Sequence, residues 1–532
     1  MALDVDMTPL GWGDPARRHG LPPHAAAWLT RTLGTTTPSH PVTPALADAT
    51  LPEPARTALA AVVGADHVRT DAEARLHHAA GRSYLDLLAL RSGSVDAPDA
   101  VLLPADATEV AALLRVCTEQ RLAVVPFGGG TSVVGGVAPL RGGFDAVVAL
   151  DLRRLDRLLA VDDEALTATF EPGLRGPAAE ALLNARGLTL GHFPQSYEHA
   201  TLGGYAATRS SGQASTGYGR FDALVLSLVV QTPAGELRLG RGAASAAGPD
   251  LRALLVGSEG TLGVITELTL RVRRLGDAGH YEAFFFRTWA DGVAALRELE
   301  QQGLAPDVAR LSDPDETRVQ LALAGASRVQ RLLLRGRRAS CMAVLGWDRA
   351  TPRERKAAVS VVRRRGGFSV GTGAGEKWRT GRYDGPYLRD DLLDAGVLVE
   401  TLETSARWST LTSTHTAVRA ALLKTLPGAV VMCHVSHLYP HGASLYFTVL
   451  GRQDPDPVTQ WQQAKTAACD AIVASGATIT HHHAVGTDHR PWMRDEIGPL
   501  GVDVLRAVKA VLDPAGILNP GKLIPDPLIA EE

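Results

Sequence analysis

Three consecutive glycines in the segment Pro126-Phe127-Gly128-Gly129-Gly130-Thr131-Ser132 are the first residues that suggest chemistry. They follow a short apolar run, and glycines there let the backbone approach a ligand without contacts from Cβ atoms. Successive N–H groups in such a turn can form an anion-binding nest, for which a diphosphate is a natural occupant. The segment matches neither GxGxxG nor GxxxxGK[ST], which weakens a nicotinamide or nucleoside-triphosphate interpretation. A tight surface turn explains the glycines equally well when they are taken alone.

Two later segments combine small and hydroxyl residues that suit a closely packed cofactor. The first joins Phe193-Pro194-Gln195-Ser196 to Thr201-Leu202-Gly203-Gly204. The second covers residues 257–266 and reads Gly-Ser-Glu-Gly-Thr-Leu-Gly-Val-Ile-Thr. With these two segments in order behind the glycines, a bound cofactor explains the pattern better than a surface turn.

Two arginines in the second half of the chain could bind an anion. The guanidinium groups of Arg310 and Arg389 are fixed cations whose planar shape suits a bidentate phosphate or carboxylate. The alternative is a structural ion pair, for Arg389 with Asp390 or Asp391.

Tyr446 and the tract His481-His482-His483 could move protons. A phenol with a pKa of about 10 is a poor base at neutral pH unless a histidine or the cofactor lowers that value. A neutral imidazole can shuttle a proton or hold a substrate oxygen. Because neighbours on a strand alternate sides, we expect either His481 and His483 or His482 alone to face the site. The alternatives are a core tyrosine with a satisfied hydroxyl and a structural role for the histidines.

No metal site is predicted. Three consecutive histidines cannot all face one ion from a regular strand or helix. His434 and His437 lie three residues apart, but no accompanying ligand spacing completes a tetrahedral site.

Regular elements must hold these residues in place. Residues 107–117 carry apolar residues at helical spacing, and residues 122–126 form a short buried strand before the glycines. Further β-branched or alternating runs predict strands over 146–150, 166–170, 225–230, 268–272 and 443–450. An amphipathic helix is predicted over residues 289–299.

The length of 532 residues predicts two or three domains, because single hydrophobic cores stop growing at roughly 250–300 residues. We predict a partly helical N-terminal extension over 1–95 and a cofactor domain over 96–275. A substrate or cap domain over 276–485 follows, and a helical segment over 486–532 returns to the cofactor domain. Residues 1–50 lack a sustained apolar period and are predicted to be irregular.

The composition narrows the class of protein. A formal net charge of -3 without a basic run argues against a nucleic-acid partner. Four scattered cysteines without a CxxC pair favour a reducing compartment. The start of the chain lacks a secretory pattern and no window is apolar enough to span a membrane, so we predict a cytoplasmic location. A peripheral contact at the inner membrane surface and a homodimer stay open.

In order and spacing, the glycine segment and the two later segments resemble the FAD-binding (PCMH-type) domain of the vanillyl-alcohol-oxidase superfamily. The resemblance implies an α+β fold, with a two-subdomain FAD-binding domain and an α+β cap domain that has a central antiparallel sheet. In covalent members the attachment residue is a histidine or cysteine, often in the glycine loop. Thr131 stands in that loop here, which implies non-covalent FAD. The residues implied to bind FAD are Pro126, Gly128, Gly129, Gly130, Thr131, Ser132, Pro194, Ser196, Thr201, Gly203, Gly204, Glu259, Gly260, Thr261 and Ile265.

The cap is similar to the alkylglycerone-phosphate synthase (alkyldihydroxyacetonephosphate synthase) family. The similar segments are residues 306–313, 382–390, 403–405, 444–447 and 481–483, with Gly11-Trp12-Gly13 near the start. The similarity implies exchange of the acyl group of acyl-dihydroxyacetone phosphate for a long-chain alcohol, through an adduct at flavin N5 and without net redox change. Tyr446 and the histidines would move the C1 proton. Arg310 and Arg389 would hold the phosphate, and an apolar tunnel would accept the chains.

Two other functions stay open. An FAD-dependent dehydrogenase or oxidase of a 2-hydroxy acid or another alcohol would use an arginine for the carboxylate and a histidine for the hydroxyl proton. A catalytically silent FAD-binding protein is the third. Ala484 replaces a glycine of the eukaryotic synthases and residues 487–489 replace a more basic stretch, which favours a bacterial relative.

Overall fold

The computed structural model describes residues 7–276, 279–323 and 340–526. The domain boundary predicted near residue 276 therefore falls beside residues 277–278, which lie outside the described residues. So do the first six residues, whose sequence lacks a secretory pattern. Within the described ranges, no helix is both long and apolar enough to cross a membrane.

The N-terminal part contains more regular structure than its sequence predicts. The prediction of an irregular stretch over 1–50 is wrong for one helix and one strand. Pro23 stands in the first turn of the helix, where a missing N–H is tolerated, and Ala25 and Leu29 are buried on one side. The elements are a 3₁₀ turn (Pro15–Arg17), α1 (Pro23–Leu33), β1 (Val42–Ala45), α2 (Glu53–Val63), a 3₁₀ turn (Ala65–His67), β2 (Val68–Arg69), α3 (Ala72–His77), α4 (Tyr84–Arg91) and β3 (Ser92–Ser94).

A four-stranded, mostly parallel sheet leads directly into the glycine segment. The elements are β4 (Ala100–Leu102), α5 (Ala107–Glu119), β5 (Leu122–Phe127) and β6 (Ala146–Asp151). The strand order is β2-β4-β6-β5, with β2 antiparallel to β4. Asp106 caps α5 by accepting hydrogen bonds from the N–H groups of Thr108 and Glu109. The predicted helix over 107–117 and strand over 122–126 are confirmed.

A second sheet is antiparallel, and the segment over residues 257–266 runs into its central strand, β12 (Val264–Arg271). Its strand order is β11-β10-β12-β8-β7, and a short pair joins β13 to β9. The strands predicted over 166–170, 225–230 and 268–272 are confirmed. The elements are β7 (Leu158–Asp162), β8 (Thr167–Phe170), α6 (Gly176–Asn184), β9 (Leu188–Thr189), α7 (Leu202–Thr208), α8 (Ser215–Tyr218), α9 (Phe221–Leu224), β10 (Val225–Thr232), β11 (Gly235–Leu239), α10 (Arg252–Leu255), β12 (Val264–Arg271) and β13 (Arg273–Arg274).

The cap is built on a seven-stranded antiparallel sheet. Its strand order is β17-β14-β16-β15-β19-β20-β18, which confirms the predicted α+β class and central antiparallel sheet. Its elements are β14 (His280–Phe286), α11 (Trp289–Gln301), β15 (Val308–Ser312), α12 (Pro314–Leu323), β16 (Cys341–Trp347), α13 (Pro352–Arg364), β17 (Phe368–Gly371), α14 (Thr372–Gly381), α15 (Gly385–Asp394), β18 (Val397–Arg407), α16 (Leu411–Thr425), β19 (Val430–Tyr439), β20 (Gly442–Arg452) and α17 (Pro457–Ala474).

The C-terminal segment lies against the first sheet. A 3₁₀ turn (Arg490–Trp492) precedes α18 (Met493–Leu512), and Leu518 then forms a parallel bridge with Val124 of β5. Asn519 donates from its side chain to the carbonyl oxygens of Gly136 and Glu259. The chain end thus braces the loops that border the glycine segment.

Candidate active site

One cavity of about 680 Å³ lies between the glycine segment and the cap sheet. We call it the central cavity. Of the residues predicted to bind FAD, every one except Thr261 lines it. Tyr446, His482, His483, Arg310 and Arg389 also line it, whereas His481 does not. The fold therefore brings nearly all predicted site residues to one place.

The glycine segment forms a cradle that larger residues would fill. A Cβ atom on Gly129 would lie 2.1 Å from the carbonyl oxygen of His199, and Gly130 has a positive φ of 64°. Within the described chain, the N–H groups of Gly129, Gly130 and Thr131 form no hydrogen bond to a protein acceptor. Unpaired N–H groups beside a cavity suit the phosphates of a dinucleotide. The residues present therefore fit FAD.

The segment over residues 257–266 lines the cavity and also binds the loop that follows the histidine tract. The Glu259 carboxylate accepts hydrogen bonds from the N–H groups of Val485 and Gly486, at 2.9 and 2.7 Å. Burial raises the pKa of Glu259 to about 7. Thr261 instead donates from its hydroxyl to Ser258, and its carbonyl oxygen accepts from Lys509. Its side chain is therefore used inside the turn, and its predicted part in enclosing FAD stays a prediction.

No residue on the FAD-binding wall offers a covalent anchor. Between residues 126 and 265, the described residues that line the central cavity include neither histidine nor cysteine. The four cysteines are buried and do not line it. Thr131 lines the cavity at the position implied for a histidine in covalent relatives.

The two arginines differ in their partners. Arg310 donates from Nη2 to Glu316 Oε1 at 2.6 Å and contacts His434 Nδ1 at 3.0 Å, so its charge is already matched. Arg389 donates from Nη1 to the carbonyl oxygen of Arg82 at 2.5 Å. Among the described residues, its Nε and Nη2 atoms are buried and have no hydrogen-bond partner.

The alternative of a structural ion pair holds for Arg310 more than for Arg389. The nearest carboxylate to Arg389 belongs to Asp390, with Nε and Oδ1 4.0 Å apart. That separation is at the limit of an ion pair and too long for a hydrogen bond. Arg389 therefore has free donors at the cavity wall.

Neighbouring strands of the cap sheet align a row of polar residues across the cavity floor. Glu403 of β18 pairs with Tyr446 of β20, which pairs with His434 of β19. Directly paired residues face the same side of a sheet, so the row is fixed by strand register. The His434 ring stacks on Tyr446 at 4.9 Å between centroids, and the His482 ring stacks at 6.0 Å from Tyr446.

The phenol of Tyr446 stays protonated at neutral pH in this setting. Burial raises the pKa of Tyr446 to about 12, even though a hydrogen bond with Thr401 opposes the rise. The condition under which this phenol could act as a base, a pKa lowered by a histidine, is therefore not met by the protein groups around it. Burial also lowers the pKa of His483 to about 3, so the adjacent imidazole is neutral.

The histidine tract wraps around one carboxylate. Glu403 accepts hydrogen bonds from the backbone N–H groups of His481, His482 and His483, at 2.7, 3.1 and 2.9 Å. The tract is a bend and not a strand or helix. Strand alternation therefore does not apply, and the neighbours His482 and His483 both reach the cavity. His481 lies behind them, with Nε2 2.5 Å from the Tyr439 hydroxyl.

Sequence reasoning assigned no role to three residues that shape this site. Glu316 and Glu403 organise Arg310 and the histidine tract, yet carboxylates that act across strands leave no local pattern. Glu403 falls in a segment with family similarity, which was the available signal. Trp12 lines the cavity from the N-terminal part, and its N–H donates to Asp390 at 2.6 Å.

Family models match both halves of the chain. Residues 98–240 match the model described as "FAD binding domain". Residues 277–523 match "FAD linked oxidases, C-terminal domain". The chain therefore has FAD as its cofactor.

Curated relatives and solved structures show which FAD-linked enzymes the chain is similar to. The chain is 34% identical to an alkyldihydroxyacetonephosphate synthase of Dictyostelium discoideum, over 86% of this chain and 79% of the relative. It is also 34% identical to the enzyme of that name from Trypanosoma brucei brucei, over 88% of this chain and 80% of the relative. A solved alkyldihydroxyacetonephosphate synthase structure, 29% identical, superposes with a TM-score of 0.83 over 97% of this chain and 99% of that chain.

A more distant structure supports the fold alone. A p-cresol methylhydroxylase structure, 16% identical, superposes with a TM-score of 0.67 over 88% of this chain and 96% of that chain. The two relatives at 34% identity are eukaryotic, so they do not support the predicted bacterial source. With the FAD-binding half, the antiparallel cap and the site residues in place, the chain belongs to the alkyldihydroxyacetonephosphate synthase family of FAD-linked enzymes.

Proposed function

We propose that this protein exchanges the acyl group of an acyl-dihydroxyacetone phosphate for a long-chain alcohol, with release of a fatty acid. One C–O bond forms, one C–O bond breaks, and no net oxidation occurs. The observation that carries the proposal is Arg389, a largely buried cation with two free donor atoms in the same cavity as the glycine cradle and Tyr446. Family membership supplies the substrate class.

Arg389 is the group that holds the phosphate. Its free Nε and Nη2 atoms can donate two parallel hydrogen bonds to phosphate oxygens. Arg310 is predicted to hold the phosphate as well, but Glu316 already pairs with its charge. We assign Arg310 to ordering the cavity wall, with a donor left for the substrate at Nε, which has no partner among the described residues.

The protein's own groups move the proton. FAD supplies the electron-accepting group of the reaction when it is bound. Tyr446 donates a hydrogen bond or a proton to an oxygen of the substrate, since its phenol stays protonated at neutral pH. His482 and His483 are neutral acceptors, and the Glu403 carboxylate behind them stabilises an imidazolium.

Apolar side chains give the lipid chains a place to lie. The cavity wall beyond Arg310 is formed by α12, α15 and the cap strands. The apolar residues on it are Val319, Leu323, Leu392, Val399, Met432 and Leu450. Burial of a methylene contributes about 0.8 kcal/mol, so this wall favours a long-chain substrate over a short hydroxy acid.

An FAD-linked oxidoreductase of a 2-hydroxy acid is the second candidate. The chain is 28% identical to a "Probable D-lactate dehydrogenase, mitochondrial" of Danio rerio, over 80% of this chain and 84% of the relative. In that reaction Arg389 would hold a carboxylate in place of the phosphate. The same free guanidinium donors serve both ligands.

An anaerobic substrate screen separates the two candidates. Purified protein is mixed with D-lactate, glycolate, or acyl-dihydroxyacetone phosphate plus hexadecanol while the flavin absorbance is followed. The synthase reaction leaves the flavin oxidised and releases fatty acid only when the alcohol is present. Bleaching by a hydroxy acid, with turnover of a dye acceptor, would replace the first candidate by the second.

We also propose a cytoplasmic protein, of bacterial source, that contacts the inner membrane surface peripherally. Support for the contact comes from exposed apolar side chains on α18, with Leu500 76% and Val511 70% exposed. A homodimer that covers this face is the competing proposal. Sedimentation with lipid vesicles and light scattering of the pure protein distinguish the two.

A further inference from the structure

Three buried imidazoles converge at one side of the central cavity. His437 stands near the end of β19, while His481 and His482 belong to the bend after α17. One ring nitrogen from each lies within 4.8 Å of the others. The prediction of no metal site rested on a consecutive tract and on His434 with His437, and it did not consider ligands that meet across the fold.

The local backbone explains why His437 joins this group. The pairing of β19 with β20 shifts register between Val435 and Leu438. Residues three apart on a regular strand face opposite sides, but such an irregularity lets both His434 and His437 line the cavity. His434 contacts Arg310 and Glu316, whereas the His437 ring stacks on His481 at 5.0 Å.

Each of two imidazoles has its outer nitrogen occupied by a hydroxyl group. His437 Nδ1 lies 2.6 Å from Ser215 Oγ, and His481 Nε2 lies 2.5 Å from the Tyr439 hydroxyl. Such partners fix the tautomer and orient the opposite nitrogen of a metal-binding histidine. The nitrogens that remain are Nε2 of His437 and Nδ1 of His481.

The spacing of the inner nitrogens approaches that of a coordination sphere. His481 Nδ1 and His482 Nδ1 are 3.0 Å apart. Two ligands of a tetrahedral zinc ion are about 3.4 Å apart when each Zn–N bond is about 2.0–2.1 Å. The three ligand atoms lie within 4.8 Å of one another, so binding of an ion requires the rings to move closer together.

One positive charge lies beside the cluster: Arg220 donates from Nη1 to the carbonyl oxygen of His481 at 3.3 Å, and its guanidinium group is paired with Asp222 at 2.7 Å. The Glu403 carboxylate is 1% exposed, and its Oε2 lies 3.5 Å from His482 Nδ1. In the part of the chain that the structure describes, no lysine or arginine nitrogen lies within ion-pair distance of Glu403. The Glu403 carboxylate is already satisfied by three backbone N–H groups of the tract and by the Thr480 hydroxyl, but its negative charge would still attract a cation to the imidazoles.

We propose that His437, His481 and His482 bind a divalent transition-metal ion of the Zn²⁺ class. Neutral imidazole suits Zn²⁺, whereas Ca²⁺ and Mg²⁺ prefer oxygen ligands. His437 and His482 line the central cavity, so an open coordination position faces the substrate. The ion would act there as a Lewis acid on a carbonyl or hydroxyl oxygen. With His482 bound to the ion, His483 alone remains as the neutral proton acceptor, and this holds for either of the two reactions.

Direct metal analysis of tag-free, FAD-loaded protein tests the proposal. The protein is stripped with a chelator, incubated with Zn²⁺ and passed through gel filtration, and zinc and flavin are then measured by mass spectrometry and absorbance. We expect one equivalent of Zn²⁺ per chain. His437→Ala should lose this zinc, and Ser215→Ala should weaken binding by about 10–100-fold in a chelator competition.

A matched histidine elsewhere in the cap serves as the control. His415→Ala removes an imidazole that stacks on Trp289 at 4.8 Å and is absent from the cluster. This variant should keep the full equivalent of zinc. Equal FAD content and thermal midpoints of Ser215→Ala and the unmodified protein exclude misfolding. The proposal is overturned if the unmodified protein takes up no zinc, or if His437→Ala binds as much as His415→Ala does.

Discussion

At the scale of single residues, the two arginines of the cavity have different environments. Arg310 lies against Glu316 and His434, whereas Arg389 keeps two donors free. Sequence could predict that both side chains carry a charge in the cap. It could not predict which charge is already neutralised, because Glu316 and His434 reach Arg310 from other elements.

Replacing each arginine by methionine should therefore have different effects. Arg389→Met should raise the KM for the phosphate-bearing substrate by at least tenfold, since charged hydrogen bonds contribute about 1.5–3 kcal/mol, and leave the thermal midpoint unchanged. Arg310→Met should instead destabilise the fold by about 3–5 kcal/mol, because it leaves the buried Glu316 carboxylate with His434 as its remaining charged-group partner. Steady-state kinetics and calorimetry on both variants check this contrast. Equal KM effects with no difference in stability would contradict it.

Protonation of Glu316 at low pH should lower the stability of the fold. Although burial opposes ionisation, Arg310 and His434 lower the pKa of Glu316 to about 2. The unfolded carboxyl has a pKa near 4.5, so the stabilisation is complete above that pH and is lost as the pH falls towards 2. The full effect is about 3 kcal/mol.

Denaturant titrations between about pH 6 and pH 3 measure this effect. The difference in stability between the unmodified protein and Glu316→Gln should shrink as the pH falls. Parallel stability curves over that range would show that Glu316 titrates normally.

Tyr446→Phe should retain FAD but lose turnover. Removal of a proton donor costs about 10²–10⁴-fold in rate, while the ring still packs between His434 and His482. Tyr281→Phe is the control, because Tyr281 is also buried but bonds to Asp348 away from the cavity. Unchanged turnover in Tyr446→Phe would remove this residue from the mechanism.

At the scale of elements, local patterns predict structure well where the structure depends on neighbours in sequence. The apolar spacing of residues 107–117 and the run over 122–126 give the helix and strand that precede the glycines. The same reasoning fails for the histidine tract, because Glu403 of a distant strand bends it by accepting three N–H groups. The position of Thr261 away from the cavity wall also has a cause outside the motif pattern, since its hydroxyl donates within its own turn.

The FAD-binding wall should hold its flavin without a covalent bond. Its described cavity residues include neither histidine nor cysteine, and Thr131 occupies the usual anchor position. Acid precipitation should therefore release all of the flavin into the supernatant, as measured by absorbance. Yellow colour that stays with the precipitated polypeptide would show an attachment, which peptide mass spectrometry could locate.

At the scale of the whole molecule, distant parts of the chain close the cavity between the two halves. Arg17 near the N-terminus pairs with Glu198 of the FAD-binding half at 2.7 Å, and Arg18 pairs with Asp391 of the cap at 2.7 Å. Trp12, between the cap and the His199 ring, forms part of the wall. The sequence predicts two halves and their order. The hydrogen bond from the backbone N–H of Trp12 to Asp390 joins residues 378 positions apart, and it depends on the complete fold.

The central claim is a net exchange without oxidation, and product stoichiometry tests it most directly. Protein is incubated anaerobically with acyl-dihydroxyacetone phosphate and deuterated hexadecanol, without an electron acceptor, and products are counted by mass spectrometry. We predict one deuterated alkyl-dihydroxyacetone phosphate per fatty acid released, over many turnovers per flavin. Fatty acid release without the ether product, or product formation that stops after one turnover per flavin, would contradict the claim.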